Sequence, residues 1–298
     1  MNDGPSVVGI AGTGLIGASI GLRARANGDR VLGWDPSSAH LATARERGAI
    51  DRAVASFAAL AAAVDVLVLA GPPGAIVAQL ADLVASPGRA RLVLDVGSVK
   101  AAIARAGRPL PAFVATHPLA GSERSGPAYA DAGLFAGCVW TYDPSADGRS
   151  VAGARAFIAS MGARAHAVES WEHDRVIAAT SHLPQVASVA LGACVARDGD
   201  AAQHAALRGP GLASMLRLAQ SDPALWTGIL FANAANVAQE VRALAAILCT
   251  AADAIDARDR ASITALFAQA SGAAAYVPEN QPGIACVTGP STNSDERI

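Results

Sequence analysis

The six residues Gly12-Thr13-Gly14-Leu15-Ile16-Gly17 stand between a short apolar run, Ser6–Ala11, and an alanine-rich stretch, Leu15–Asn27. A lone G-x-G-x-x-G says little, but one that closes a buried-strand pattern and opens a helical one constrains the chain strongly. Gly12 permits a tight turn, Gly14 lets a pyrophosphate approach the backbone, and Gly17 lets helix and strand pack closely; Leu15 and Ile16 complete the loop. A pyrophosphate there lies on a helix N-terminus, where unbonded N–H groups and the helix dipole favour negative charge. Asp35 ends the next apolar run, Arg30–Trp34, 18 residues after Gly17, close to the ~20 expected of a ribose-binding acid. Its carboxylate would bind both ribose hydroxyls and repel a 2′-phosphate, and no basic residue follows it closely. The pattern therefore favours NAD over NADP. Glycines serving turns alone, with Asp35 capping the next helix, is the plainer alternative.

The rhythm downstream extends this beginning. Apolar runs at Arg30–Trp34, Val64–Ala70, Arg91–Val96 and Ala112–Thr116 alternate with helical stretches at Ser37–Gly48, Phe57–Ala63 and Gly74–Ala85. Near-continuous apolar strands separated by helices indicate a doubly wound parallel sheet covered on both faces. From about Ser150 helical segments take over: Ser150–Met161, Trp171–Arg197, Pro210–Gln220, Pro223 to about Thr250, and Arg258–Tyr276. The turn chemistry of Asp143–Arg149 suggests the boundary. The expected division is a dinucleotide-binding domain over 1–147, a helical domain over 148–277, and an aperiodic, disordered tail over 278–298. The fold class is thus α/β, Rossmann-type, followed by an all-helical part. A length of 298 residues accommodates about two such domains.

Composition excludes several function classes. With 23 Lys+Arg against 25 Asp+Glu the net charge is −2, so no basic surplus marks a nucleic-acid protein. Aromatics make up 4%, too few for a base- or sugar-stacking surface. The apolar N-terminal run is interrupted by glycines, and the later run Val64–Ala70 has only strand length, so no export or membrane-spanning segment is expected. Cys138, Cys194, Cys249 and Cys286 lie far apart, without metal-ligand spacing, as in a reducing compartment. The cytoplasm is the expected location, with a small molecule as substrate.

Candidate chemistry collects at the strand ends. Gly71-Pro72-Pro73 follows the run Val64–Ala70, where the cofactor's adenosine side should lie, although a Pro pair also starts helices. Asp95-Val96-Gly97-Ser98-Val99-Lys100 closes the next run; Ser98 either serves the site or caps the following helix. Lys100 is the sole lysine in a chain that otherwise uses arginine, which suggests a need for a compact ammonium rather than a planar fork. His117, framed by Thr116 and Pro118, puts an imidazole at the same edge and is the candidate base. His173 and His182 are nine residues apart on one helical pattern, too far for i, i+4 chelation. Pro184 inside that pattern predicts a kink, and His182 beside it is a pocket residue or a buried, hydrogen-bonded core histidine. Arg217 sits among apolar neighbours, where a lone cation needs an anion: a structural carboxylate or a substrate.

Taken in order, GTGLIGAS, DVGSVK, HPLAGSERSG with Leu134–Gly137, His173–Pro184, and Arg217 followed by Ser221–Trp226 resemble the prephenate/arogenate dehydrogenase family of tyrosine biosynthesis. The resemblance runs over about Val7–Asn236. It implies NAD(P)-dependent oxidative decarboxylation of a cyclohexadienol to a 4-hydroxyphenyl product, by a homodimer built through the helical domain. Carried over, His117 accepts the hydrogen bond and then the proton of the substrate's ring hydroxyl, with Ser98 orienting both. Arg217 pairs with a substrate carboxylate and His182 supports the pocket; Gly121, Ser122, Gln185 and, on its own composition argument, Lys100 are counted as further substrate-binding candidates. Positioning and one base suffice for this chemistry. Two departures touch the pocket. Gln185 stands where the family often has a second histidine, and Leu212–Leu216 replaces a common Phe-Arg-Asp-Thr-Thr. They leave open prephenate, arogenate or an amino-substituted analogue such as 4-amino-4-deoxyprephenate as substrate. A non-catalytic NAD-binding sensor is the alternative from another class. A β-hydroxyacid dehydrogenase is disfavoured, because the helical segment contains no lysine. The length is also expected to leave no room for an appended regulatory domain.

Overall fold

The computed structural model describes residues 6–121, 124–197 and 201–274. Its core is a six-stranded parallel sheet in the order β3-β2-β1-β4-β5-β6. The strands are β1 (Val7–Ala11), β2 (Arg30–Trp34), β3 (Arg52–Ala53), β4 (Val66–Leu69), β5 (Leu92–Asp95) and β6 (Phe113–Val114). The connecting helices are α1 (Leu15–Ala26), α2 (Ser38–Glu46), α3 (Phe57–Ala61), α4 (Pro73–Ala85) and α5 (Ala101–Gly107). The order reverses between β1 and β4, and the register pairs Ala11 with both Trp34 and Leu69, and Leu69 with Asp95. The residues that follow these four strands therefore emerge along one carboxyl edge, with a crevice at the reversal where open α/β sheets bind ligands.

Both faces of the sheet are closed. One core gathers Ile10, Ile20, Val31, Ile50, Val68 and Leu94. The other gathers Leu32, Leu60, Leu67, Leu69, Leu80 and Ile103. Each such side chain, fully removed from water, contributes roughly 1.5–3 kcal/mol before entropy is charged against it.

The sequence suggests a single strand over Ala112–Thr116, but the structure divides it. After β6 the chain enters β7 (Thr116–Pro118), which leaves the parallel sheet and pairs antiparallel with β8 (Val139–Tyr142). Then α6 (Gly148–Ser160) and β9 (Arg164–Ala167) follow, with β9 parallel to β8. Buried Trp140, Phe157 and Ile158 join the first core, so α6 belongs with the sheet. The change of architecture consequently falls near Val168 rather than at the expected 147–148. Turn chemistry at Asp143–Arg149 marks a local turn, with Asp147 capping α6 through Arg149 N and Ser150 N, and turn residues cannot tell a turn within a domain from one between domains.

The remainder is helical: α7 (Ser170–Ile177), a π turn at Ala178–His182, α8 (Leu183–Ala196), α9 (Ala201–Leu207), α10 (Pro210–Met215), α11 (Pro223–Ala232), α12 (Ala234–Asp256) and α13 (Arg260–Ala274). The kink expected at Pro184 is realised as the π turn just before it, where the missing proline N–H disturbs the ladder. The helix expected from Pro223 to about Thr250 breaks at Asn233, whose amide donates to Asp174 O at 2.7 Å. Ser170–Ala196 as a whole is long and apolar enough, by length and composition, to cross a membrane, contrary to the sequence expectation. It nonetheless carries the buried polar side chains His173, Asp174, His182 and Gln185 and packs on α5, α12 and the segment after Arg217. Trp226 and the buried Ile229, on α11, join the second core and dock the helical part on the sheet. The expected tail, 278–298, and Cys286 lie outside the described residues.

Candidate active site

Gly12 adopts φ +102°, and a Cβ there would sit 2.7 Å from the backbone of Ala70, so the β1 loop and the end of β4 need a glycine to meet. A Cβ on Gly17 would overlap the Gly12 carbonyl oxygen, which explains the third glycine. Gly14 differs: its φ is −66° and a Cβ would meet nothing within 4 Å. No protein atom demands glycine there, and the open space lies at the N-terminus of α1, which no side chain caps. That is a cradle suited to a pyrophosphate. Asp35 is buried, and its Oδ2 accepts from Thr13 N at 2.7 Å and Thr13 Oγ1 at 3.1 Å, while Oδ1 accepts from Ser37 N at 2.8 Å. The carboxylate thus anchors the glycine loop. Ser37, not Asp35, caps α2 through His40 N. Gly71 and Pro72 lie beside this loop at the start of α4, with Pro72 at its N-cap.

At the next strand ends the polar groups interlock. Lys100 is 2% exposed; its ammonium is ion-paired with Asp95 and donates to Thr116 O at 2.7 Å. Asp95 Oδ1 accepts from Thr116 N at 2.9 Å and Oδ2 from Gly97 N at 2.9 Å. Trp140 Nε1 donates to Thr116 Oγ1 at 3.0 Å. Burial raises the Asp95 carboxyl pKa and lowers that of the Lys100 ammonium, each opposed by the partner's charge. The sole lysine is therefore an interior strut under the strand that carries His117, which corrects the expectation that it meets substrate. A compact ammonium fits between a carboxylate and a carbonyl where a guanidinium fork would not.

His117 lies on β7, and its Nδ1 is 2.9 Å from His173 Nε2, the rings meeting edge to face at 71°. His173 Nδ1 lies 2.9 Å from Asp174 Oδ1. Burial holds the His117 pKa well below the ordinary 6.5, helped by His173, Lys100 and His182 nearby, so the ring is neutral near pH 7. Asp174 also accepts from Lys100 N at 2.6 Å and Ala101 N at 2.8 Å, supplying the α5 cap that Ser98 was one candidate to provide. Ser98 is half-buried in the same loop.

His182 is fully buried, and burial takes its pKa from 6.5 down to about 4. Asn233 Nδ2 faces its Nδ1 at 3.3 Å, while its Nε2 has no hydrogen-bond partner among the described residues. An amide donor at Nδ1 leaves the proton on Nε2. This is a buried donor without an acceptor, which costs about 1–3 kcal/mol unless a ligand supplies one. Gln185 is also buried, but its Nε2 donates to Leu218 O at 2.7 Å and its Oε1 faces Ser221 Oγ at 3.5 Å. Its amide is committed to the turn following Arg217, so it braces that segment instead of facing a ligand as expected. Ser188 Oγ braces the same segment at Met215 O, 2.6 Å away. Arg217, between the two braced carbonyls, is exposed. Gly121 is exposed, and Ser122 lies outside the described residues. Sequence reasoning missed the grouping of His173 and Asp174 with His117. Their adjacency in the run His173-Asp174 was the available signal, but only folding brings residues 56 apart into contact.

The sheet order, the glycine-lined edge and the clustered imidazoles define a two-domain protein of the nucleotide-binding dehydrogenase type. Residues 19–167 match the family model "Prephenate dehydrogenase, nucleotide-binding domain", and residues 169–269 match "Prephenate dehydrogenase, dimerization domain". The chain belongs to the prephenate dehydrogenase family. It is 31% identical over 252 residues to the prephenate dehydrogenase of Bacillus subtilis, covering 78% of this chain and 66% of that one. It spans just under two thirds of the length of three curated relatives that it matches: 66%, 65% and 64%. Among solved structures, Synechocystis arogenate dehydrogenase superposes with a TM-score of 0.75 at 27% identity, over 91% of this chain and all of that one. The Aquifex aeolicus prephenate dehydrogenase, in complex with hydroxyphenyl propionate and NAD+, shares the fold at a TM-score of 0.83 and 23% identity, over 93% of this chain and all of that one.

Proposed function

We propose that this protein catalyses the NAD-dependent oxidative decarboxylation of prephenate, arogenate or both to the 4-hydroxyphenyl product of tyrosine biosynthesis. The observation that carries the reading is His117: a neutral imidazole on β7, just past the end of β6, held by its Nδ1 side against His173. Such a group is matched to drawing a proton from a ring hydroxyl near neutral pH. Gly12, Gly14, Gly17, Leu15, Ile16, Asp35, Gly71 and Pro72 would hold the dinucleotide, which when bound supplies the acceptor for the substrate's hydride. Asp35, a buried acid at the end of β2, favours NAD over NADP, since a 2′-phosphate beside it would be repelled. Ser98 orients the hydroxyl toward His117. The Nε2–H of His182, without a partner among the described residues, offers a donor to a substrate oxygen, and Arg217 pairs with a substrate carboxylate. Once the carbinol carbon is oxidised, loss of the ring carboxylate is driven by aromatisation, so positioning and one base suffice.

The working unit in this reading is a homodimer joined through the helical part, which leaves Phe231, Leu248 and Phe267 exposed as a lone copy. We place it in the cytoplasm, where the unpaired thiols Cys138, Cys194 and Cys249 stay reduced. The test is formation of reduced nicotinamide by purified protein given prephenate and arogenate separately, each with NAD and with NADP. Turnover with NAD on either substrate is expected. Silence on all four pairs, with NAD binding demonstrated, would replace this reading with an amino-substituted analogue as substrate or with a cofactor sensor.

A further inference from the structure

We propose that His173 and Asp174 form a positioning relay that presets which nitrogen of His117 accepts a proton. The relay is completed only when α7 docks on α5. The inference rests on the reading of His117 as the base.

Asp174 is 2% exposed, and its two oxygens meet three donors: Lys100 N and His173 Nδ1 on Oδ1, and Ala101 N on Oδ2. An ionised carboxylate can only accept, so the proton of a neutral His173 sits on Nδ1 and its Nε2 is bare. The 2.9 Å contact to His117 then needs a donor from the other side, and that donor is His117 Nδ1–H. His117 is left with a bare Nε2, the one ring atom able to draw a proton from a hydroxyl. The polarity set at Asp174 thus passes through two rings, since the hydrogen bond at one imidazole nitrogen decides what the other can do.

The parts come from different regions of the chain. His117 rides on β7, braced from below by Lys100 and Asp95 through Thr116. His173 and Asp174 ride on α7. Asp174 spends its remaining acceptor capacity on the first N–H groups of α5, so one carboxylate both fastens α7 to the sheet domain and orders the imidazole pair. A merely structural cap would need neither His173 nor the His173–His117 contact.

The experiment pairs histidine ¹⁵N NMR of the full-length protein, without substrate, with steady-state kinetics. Wild-type His117 is expected in the Nδ1–H tautomer. His173→Leu should release it toward Nε2–H and lower kcat by roughly 10²-fold or more, within the range that general-base catalysis and wrong-tautomer variants span. KM should change much less. His173→Gln places an amide oxygen near the lost Nε2 and should restore the Nδ1–H tautomer and at least about tenfold of kcat. A wild-type His117 found as Nε2–H, or a folded His173→Leu with kcat within about threefold of wild type, would overturn the relay. If His173→Leu fails to fold, the wild-type tautomer and His173→Gln still decide. An Nδ1–H His117 in a protein silent toward both substrates would keep the relay and overturn the reaction assigned to it. An Nε2–H His117 in an active enzyme would do the reverse.

Discussion

The two halves of this chain solve the burial problem differently. In the sheet half, helices cover both faces and nearly every large apolar side chain finds a core within the same copy. Among the described residues of the helical half only Ile177, Ala178, Ile229 and Val237 are buried apolar residues, and Ile229 owes its burial to the sheet half's core. Leu207, Phe231 and Phe267 there are 82%, 77% and 71% exposed. Yet the helical half also buries polar side chains, among them His173, Asp174, His182, Gln185 and Asn233. A closed core can hold a nucleotide loop rigidly. An open helical layer presents polar groups toward His117 and the start of α5 and needs a second surface to cover its apolar face, as exposed patches of this kind generally do.

The sharpest break of this comparison is chemical. His117→Ala should lower turnover by roughly 10³-fold, within the span attributed to one general base and its orientation, while NAD still binds, since the glycine loop follows β1 and His117 lies beyond β6, with β4 and β5 between. Unchanged turnover in the assay of reduced nicotinamide would remove His117 from the reaction.

Acid should separate the halves next. His182 titrates near 6.5 when unfolded and at about 4 when folded, so the unfolded chain takes up the proton first. Its stabilising share is fully present above pH 6.5 and is lost as pH falls toward 4, roughly 3 kcal/mol in all. His117, shifted in the same direction, adds to the slope. Urea midpoints should fall between pH 7 and 5, and a His182→Gln variant should fall less steeply; parallel pH profiles would mean that His182 is not the group responsible.

A charge on the apolar face of the helical half probes the missing cover. Phe231→Asp should shift sedimentation from dimer to monomer, weakening association by ~2–4 kcal/mol if Phe231 anchors the interface. A dimer of unaltered affinity would put the interface elsewhere.

Within the sheet half, Gly17→Ala drives a Cβ into the Gly12 carbonyl and should cost about 1–3 kcal/mol, read as a lower urea midpoint together with weaker NAD binding. Gly14→Ala, facing open space in the protein alone, should leave stability within about 0.5 kcal/mol and weaken only NAD. Equal effects at the two glycines would dissolve the distinction between packing and cofactor approach. The smallest change expected is at the seam: Gln185→Ala removes the brace on Leu218 O, worth about 1 kcal/mol, and should raise KM through Arg217 with little change in kcat.

The sequence determines the principal strands and helices of the parallel sheet, but not the second sheet, β7-β8-β9, beside it. Parallel strands buried on both sides need unbroken apolar runs, and the glycine spacing is imposed by the backbone at one turn, so both are written locally. The ends of β1, β2 and β5, and with them Gly12, Asp35 and Asp95, are therefore legible locally, whereas His117 sits within β7, which leaves the parallel sheet. The domain boundary was not legible, because α6 and β9 look like the start of a helical region until Phe157 and Trp140 are seen packing on the sheet. Nor were the duties of the site's polar residues. Lys100 and Gln185 resembled substrate contacts, and only tertiary packing turned one toward Asp95 and the other toward Leu218. His173 and Asp174 had no visible tie to His117, because a hydrogen bond between residues far apart in the chain leaves no local periodicity to read. Composition and spacing determine which surfaces must be buried; which polar atom faces which is decided when those surfaces meet.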